Sequence, residues 1–101
     1  MAFQIIWSEA ASEDLKEIVQ FIAQDDNNAA VNLANRIISR IEIASDFPLS
    51  NRIVPEKGIE AIREAILNPY RIVYQIDSLH QTISIMRIWH ASRGIQILNK
   101  S

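Results

Sequence analysis

The residues best able to do chemistry lie in segment 70–93, which reads YRIVYQIDSLHQTISIMRIWHASR. Arg71, Arg87, His90 and Arg93 stand there among Ile, Val, Tyr, Met and Trp residues, which favour strands. A guanidinium can hold a phosphate or carboxylate through two parallel hydrogen bonds, and an imidazole exchanges protons near neutral pH. The combination indicates an anionic target, which the protein would either bind or cleave by acid–base chemistry.

Two predicted strands, at 70–77 and 82–90, carry these groups and are joined by a short polar hairpin loop. Side chains three residues apart on a regular strand point to opposite faces of the sheet. Arg87 and His90 are therefore expected to meet only if the strand contains a bulge or ends early.

Two amphipathic helices are predicted ahead of these strands, at about 9–25 and 28–45, because apolar residues recur at i, i+3, i+4 and i+7 in both. An apolar strand at 3–7 precedes the helices, and a strand at 61–67 follows a loop. The order β-α-α-β-β-β predicts an α+β fold. In it, an N-terminal strand and an antiparallel helix hairpin precede a three-stranded antiparallel meander, and the helix pair covers one face of the sheet.

Composition narrows the classes of function. The 101 residues predict a single domain, 1–101, and a hydrophobic content of 49% predicts an ordered globular chain. The absence of cysteine excludes disulfides and thiolate chemistry, and two histidines with scattered acids give no metal-ligand spacing. We therefore expect no cofactor and no metal. No secretory signal or membrane-spanning run is present, so the expected location is the cytoplasm.

The net charge of −2 is unevenly distributed. Residues 1–50 hold three cations and eight acids, a net charge of −5, whereas residues 51–101 hold seven cations and four acids, a net charge of +3. An anionic partner is therefore expected to meet the second half of the chain.

Several segments, taken in order, resemble a known family. They are a strand ending in Trp7-Ser8, the helix AASEDLKEIVQFIA, a second helix ending in DFP, then IRE at 62–64, NPYRIVYQID at 68–77 and ISIMRIWHASRG at 83–94. This ordered set spans Phe3 to Gly94 and resembles the RelE/ParE superfamily of toxins from bacterial type II toxin–antitoxin modules. The YRIVY strand, followed by a strand ending in H-x-x-R, is its most specific part.

The resemblance implies a toxin that arrests growth and is held inactive by a cognate antitoxin. ParE-branch members poison DNA gyrase, and RelE-branch members cut messenger RNA on the ribosome, so only the second branch implies an enzyme. For a nuclease, the resemblance makes Arg63, His90 and Arg93 the catalytic candidates: His90 would transfer protons, and the arginines would hold the phosphate. The candidate binding residues are Arg71, Arg87 and Trp89, the last because tryptophan is enriched at binding hot spots.

Three functions stay open on the sequence. Gyrase poisoning is favoured over cleavage of messenger RNA because the pI of about 5.6 disfavours a polyanionic substrate, and a non-toxic family member is the third alternative. The antitoxin is expected to bind as an extended or helical segment along an apolar groove and to shield the basic half. The assembly is left open between a homodimer and a toxin–antitoxin hetero-oligomer.

Overall fold

The computed structural model describes residues 2–93, with Arg93 described by its backbone alone. Its elements are β1 (Gln4–Trp7), α1 (Glu9–Ala23), α2 (Asn27–Asp46), β2 (Arg52–Ile53), β3 (Ile62–Leu67), β4 (Tyr70–Asp77) and β5 (Thr82–His90), with 3₁₀ helices at Pro48–Ser50 and Ala91–Arg93. The predicted α+β order is confirmed. The two-residue strand β2 is an addition, because it lies in a segment predicted as a loop.

The five strands form one sheet in the order β1-β5-β4-β3-β2. β3, β4 and β5 form the predicted antiparallel meander, and β1 pairs parallel with β5. The register between β4 and β5 shifts: Val73 faces Arg87 and Tyr74 faces Ile85, so Met86 is the extra residue of a bulge.

Each helix begins at a side-chain cap. Ser8 Oγ accepts a hydrogen bond from the Ala11 amide at 3.0 Å, and Asp26 Oδ1 accepts one from the Ala29 amide at 3.1 Å. α2 ends just before Pro48, whose ring cannot continue a helix. Within residues 2–93, neither helix combines the length and the hydrophobicity that a bilayer crossing requires.

The main core lies between the helix pair and one face of the sheet, here called the first face. Its isoleucines are nearly all fully buried, and each contributes roughly 1.5–3 kcal/mol relative to an exposed side chain. The buried members of this core are Ala11, Ile37, Ile41, Ala44, Ala65, Leu67, Ile72, Tyr74, Ile76, Ile83, Ile85 and Ile88.

The opposite side of the sheet, here called the second face, has a smaller core. Val54 directly follows β2 and packs against Ile62, Val73 and Trp89, and all four side chains are buried. The segment that follows β2 therefore covers part of the second face, and the polar groups beneath it are shielded from water.

Candidate functional site

The outer edge of β5 is only half covered by β1. β1 pairs with residues 82–85, so among the described residues no strand lies on the outer side of positions 86–90. Two side chains instead bond to the backbone of β5 at these positions. Ser8 Oγ donates to the Met86 carbonyl at 3.0 Å, and Asp14 Oδ2 accepts from the Ile88 amide at 2.9 Å. The start of α1 thus satisfies backbone groups that an open edge would leave to another chain.

Arg87 is held by the same carboxylate. Its Nε and Nη2 donate to Asp14 at 2.8 and 2.9 Å, and its Cζ lies 5.3 Å from the centroid of the Trp89 ring. The hydrogen bonds to Asp14 raise the pKa of Arg87, against the opposing effect of burial. The guanidinium is therefore fixed and already neutralised.

His90 lies at the end of β5, where it lines a cleft of about 530 Å³ between this edge and α1. Its Nδ1 is 2.9 Å from Ser92 Oγ, and its ring stands edge-on to Tyr70, with centroids 5.7 Å apart. We call this the edge cleft; it is lined by Asp14, Glu17, Ile18, Phe21, Tyr70, Arg87, Ile88, Trp89 and His90. Arg87 and His90 both line this cleft because the cleft runs along the edge of β5. The bulge at Met86 does not bring them together, because it precedes both residues.

Arg71 lies at the buried centre of a cluster of charges on the second face. Its Nη1 and Nη2 donate to the Glu56 carboxylate at 2.9 and 2.8 Å, and its Nε donates to Glu64 Oε1 at 2.6 Å. Arg52 makes a further ion pair with Glu64, whose side chain is completely buried. Hydrogen bonding to Glu56 raises the pKa of Arg71, and the same contact lowers the pKa of Glu56. These four residues are called the second-face ion cluster, and their formal charges cancel.

Arg63 lies at the far side of the sheet from the edge cleft. Its Nε donates to the Glu60 carbonyl at 2.8 Å, and its Nη1 donates to the Leu49 and Asn51 carbonyls at 3.1 and 3.0 Å. These bonds join the segments on both sides of β2, so the described contacts of Arg63 are those of a structural clamp.

The three catalytic candidates are not brought together in the described residues. Arg63 faces Tyr74 and His90 faces Tyr70, so two strand spacings and four residues separate the two candidates. This corresponds to about 16 Å between their Cα atoms. The side chain of Arg93 lies outside the described residues.

The three binding candidates, in contrast, are neighbours. Arg71 faces Trp89 across the β4–β5 pair, and Arg87 stacks on the same indole. Trp89 is 3% exposed, and its Nε1 has no hydrogen-bond partner among residues 2–93. The predicted hot-spot tryptophan therefore belongs to the smaller core.

The expected cationic surface on the second half of the chain does not form in the described residues. Arg63, Arg71 and Arg87 donate to carbonyls or carboxylates of the same chain, and two of the three carboxylates, those of Glu56 and Glu64, come from the second half itself. The net charge of each half did not predict this, because a count of charges does not show which side chains contact each other. Residues 2–93 also contain no group of three His, Asp or Glu side chains that could hold a metal ion.

An apolar groove of about 610 Å³ runs between the two helices and β1. Its apolar walls are formed by Ile5, Trp7, Leu15, Val19, Ile38 and Ile41, with Ser12, Lys16 and Glu42 at its polar margins. We call it the hairpin groove. Ile38 is 42% exposed, so the groove presents apolar surface of the kind that marks interaction sites.

Asp14 is the functional-site residue that sequence reasoning missed. It precedes Leu15 on an otherwise amphipathic helix and resembles any solvent-facing acid, and its two partners lie more than 70 residues away. The available signal was Arg87 in the apolar sequence of β5, because a partly buried arginine requires an acid nearby.

Comparison with known proteins gives a family match over most of the chain. The family model described as "ParE toxin of type II toxin-antitoxin system, parDE" matches residues 5–95. The protein named "Putative toxin Y4kP" of Sinorhizobium fredii is 32% identical over 90 residues, which cover 87% of this chain and 88% of that protein.

Solved structures share the fold at low sequence identity. The chromosomal ParDE system of P. aeruginosa aligns with a TM-score of 0.70 and 16% identity, over 88% of this chain and 96% of that one. The RelBE2 toxin–antitoxin complex of Mycobacterium tuberculosis aligns with a TM-score of 0.61 and 23% identity, over 89% and 99%. The isolated RelE toxin of E. coli gives 0.58 and 15%, over 96% and 99%. At these identities the structural likeness establishes the fold alone.

Proposed function

Because this chain belongs to the family of ParE toxins of type II toxin–antitoxin systems, we propose that it arrests growth by poisoning DNA gyrase and that a cognate antitoxin neutralises it. The toxin acts by binding its target and not by cutting a nucleic acid.

The observation that carries this proposal is that all three strand arginines are held by groups of the same chain: Arg63 by backbone carbonyls, and Arg71 and Arg87 by carboxylates. Cleavage of a phosphodiester requires a cation at the phosphate within reach of the proton-transfer group. Arg63 lies about 16 Å from His90 across the sheet, and Arg87, which shares the cleft with His90, is held by Asp14. A binding toxin needs no such constellation.

The alternative, a RelE-like nuclease, is supported by one feature of the edge cleft. His90 lines it together with Tyr70 and Arg87, so a proton-transfer group and a guanidinium do share one cavity. In that case Arg87 would have to exchange Asp14 for the substrate phosphate.

The hairpin groove is where the antitoxin binds. Two of the aligned solved structures are of toxin–antitoxin systems, which supports a protein partner of this kind. The groove is apolar along its length with one cation and one acid at its margins, and this pattern suits the apolar face of an amphipathic segment. Val19→Asp should therefore escape neutralisation while it remains toxic. The matched control is Gln20→Asp, which adds the same charge to the exposed neighbouring position of α1.

The target is identified by two assays of the purified protein. The proposed function predicts inhibition of gyrase-catalysed supercoiling of a relaxed plasmid and no cleavage of messenger RNA on translating ribosomes. His90→Ala should inhibit gyrase as well as the wild type. Cleaved messages that disappear in His90→Ala would replace the gyrase proposal with the nuclease, and inactivity of the wild type in both assays would support a non-toxic member.

A further inference from the structure

A second group of cations lies on α2, away from the edge cleft and the second face. Arg36 and Arg40 are one helical turn apart, and neither forms an ion pair with a carboxylate among residues 2–93. The positions three and four residues away hold Asn, Leu, Ser, Ile, Ala and the other arginine, but no acid. Like charges at this spacing destabilise a helix. Within the part of the chain that the structure describes, α2 thus carries two cations that no carboxylate neutralises.

Both arginines line a shallow cavity of about 360 Å³ on the flank of α2 that faces β3. Asn35 and Ser39 contribute further polar groups, and Ile43 and Leu67 complete the lining. Four residues of helix rise about 6 Å, so the two guanidiniums start from points about 6 Å apart along the axis. Arg, Asn and Ser are residue types that commonly contact the sugar–phosphate backbone of nucleic acids.

This flank is separate from the hairpin groove. Ile38 lines the groove, and Arg36 and Arg40 each lie two residues from it, which is about 160° around the helix axis. A segment seated in the groove would therefore leave both arginines exposed to a different ligand.

We propose that Arg36 and Arg40, with Asn35 and Ser39, bind the phosphodiester backbone of duplex DNA. The inference rests on the proposed function, because the proposed target is an enzyme that acts on DNA. A row of donors along a helix matches the repeated anionic oxygens of a nucleic-acid strand, whereas an acidic side chain offers a single charge. Two contacts on a chain of net charge −2 give weak affinity alone, so the site acts on DNA that the target already holds.

The salt dependence of binding to a short fluorescein-labelled duplex tests the site directly. Each phosphate contact contributes about −0.9 to the slope of log affinity against log salt, so two contacts predict a loss of about 12-fold between about 50 and 200 mM salt. Arg36→Gln or Arg40→Gln alone should reduce this loss to about 3.5-fold, and the double variant should abolish it. Lys57→Gln, which removes an exposed cation from the segment after β2, is the matched control and should behave as the wild type.

Three outcomes would overturn the inference: no duplex binding by the wild type near 50 mM salt, an unchanged salt slope in the double variant, or competition by poly-glutamate that equals competition by DNA. The supercoiling assay separates this failure from failure of the proposed function. If the salt slope is unchanged in the double variant and both proteins inhibit gyrase, the DNA site is wrong and gyrase poisoning stands. If the arginine-dependent slope is found and the wild type leaves gyrase active, the DNA site stands and its target is another DNA-bound enzyme.

Discussion

Arg71 provides the sharpest test of whether the strand arginines are structural. Arg71→Gln removes the cation that joins Glu56 to Glu64 and leaves the completely buried Glu64 carboxylate with Arg52 as its one remaining cation. Removing one partner from a buried ion pair costs about 3–5 kcal/mol. Since a domain of this size has a free energy of unfolding of about 5–15 kcal/mol, the variant should be severely destabilised.

Thermal unfolding followed by tryptophan fluorescence measures this loss, because Trp89 lies directly across from Arg71 in the sheet. The midpoint temperature should fall by at least about 12 °C, at about 4 °C or more per kcal/mol. Arg52→Gln is the matched control: its side chain is 61% exposed, so its loss should cost no more than about 1 kcal/mol.

Acid should diminish the difference between wild type and Arg71→Gln. Arg71 lowers the pKa of Glu56 below its ordinary value of 4.5 in the fold, so ionised Glu56 stabilises the protein above that pH. The stabilisation is lost as the pH falls through the lowered pKa, and the gap between the two proteins should narrow there. If Arg71→Gln keeps wild-type stability at neutral pH but is no longer toxic, the structural reasoning is refuted and Arg71 is a binding residue.

Three further substitutions test the remaining contacts. Asp14→Asn should cost about 1.5–3 kcal/mol in urea unfolding, because it weakens charge-assisted bonds to Arg87 and to the β5 edge; an unchanged midpoint would mean that the edge needs no such cap. Ser8→Ala should cost about 1 kcal/mol through loss of the α1 cap, with circular dichroism reporting whether helix content falls with it. Arg63→Gln should destabilise by roughly 1–3 kcal/mol for each carbonyl left buried without a donor, and a stable variant that loses toxicity would instead favour the nuclease.

The sequence was sufficient for the elements of this fold because their signals are local. The apolar stripe from Ala11 to Ile22 and the one from Ala30 to Ala44 follow helical spacing, and the caps at Ser8 and Asp26 lie next to the helices they begin. The parallel pairing of β1 with β5 has no local signal, because no turn joins the two strands.

The candidate site was harder to predict for the same reason. The ion pairs that determine whether an arginine is available to a ligand join residues far apart in sequence. Asp14 and Arg87, for example, are 73 positions apart. Regional net charge indicated a basic half, but charge counts carry no information about which side chains meet. The same count obscured the two cations on α2, because eight acids outnumber three cations in residues 1–50.

The place of β1 in the sheet also bears on how this protein emerges from the ribosome. The first strand hydrogen-bonds to the last, so its partner is translated about 80 residues later. At about 5–20 residues per second, the nascent N-terminus waits roughly 4–16 s for that partner. A chain that terminates before Thr82 lacks β5, the strand that joins β1 to β4, so it can form neither the complete sheet nor the edge cleft.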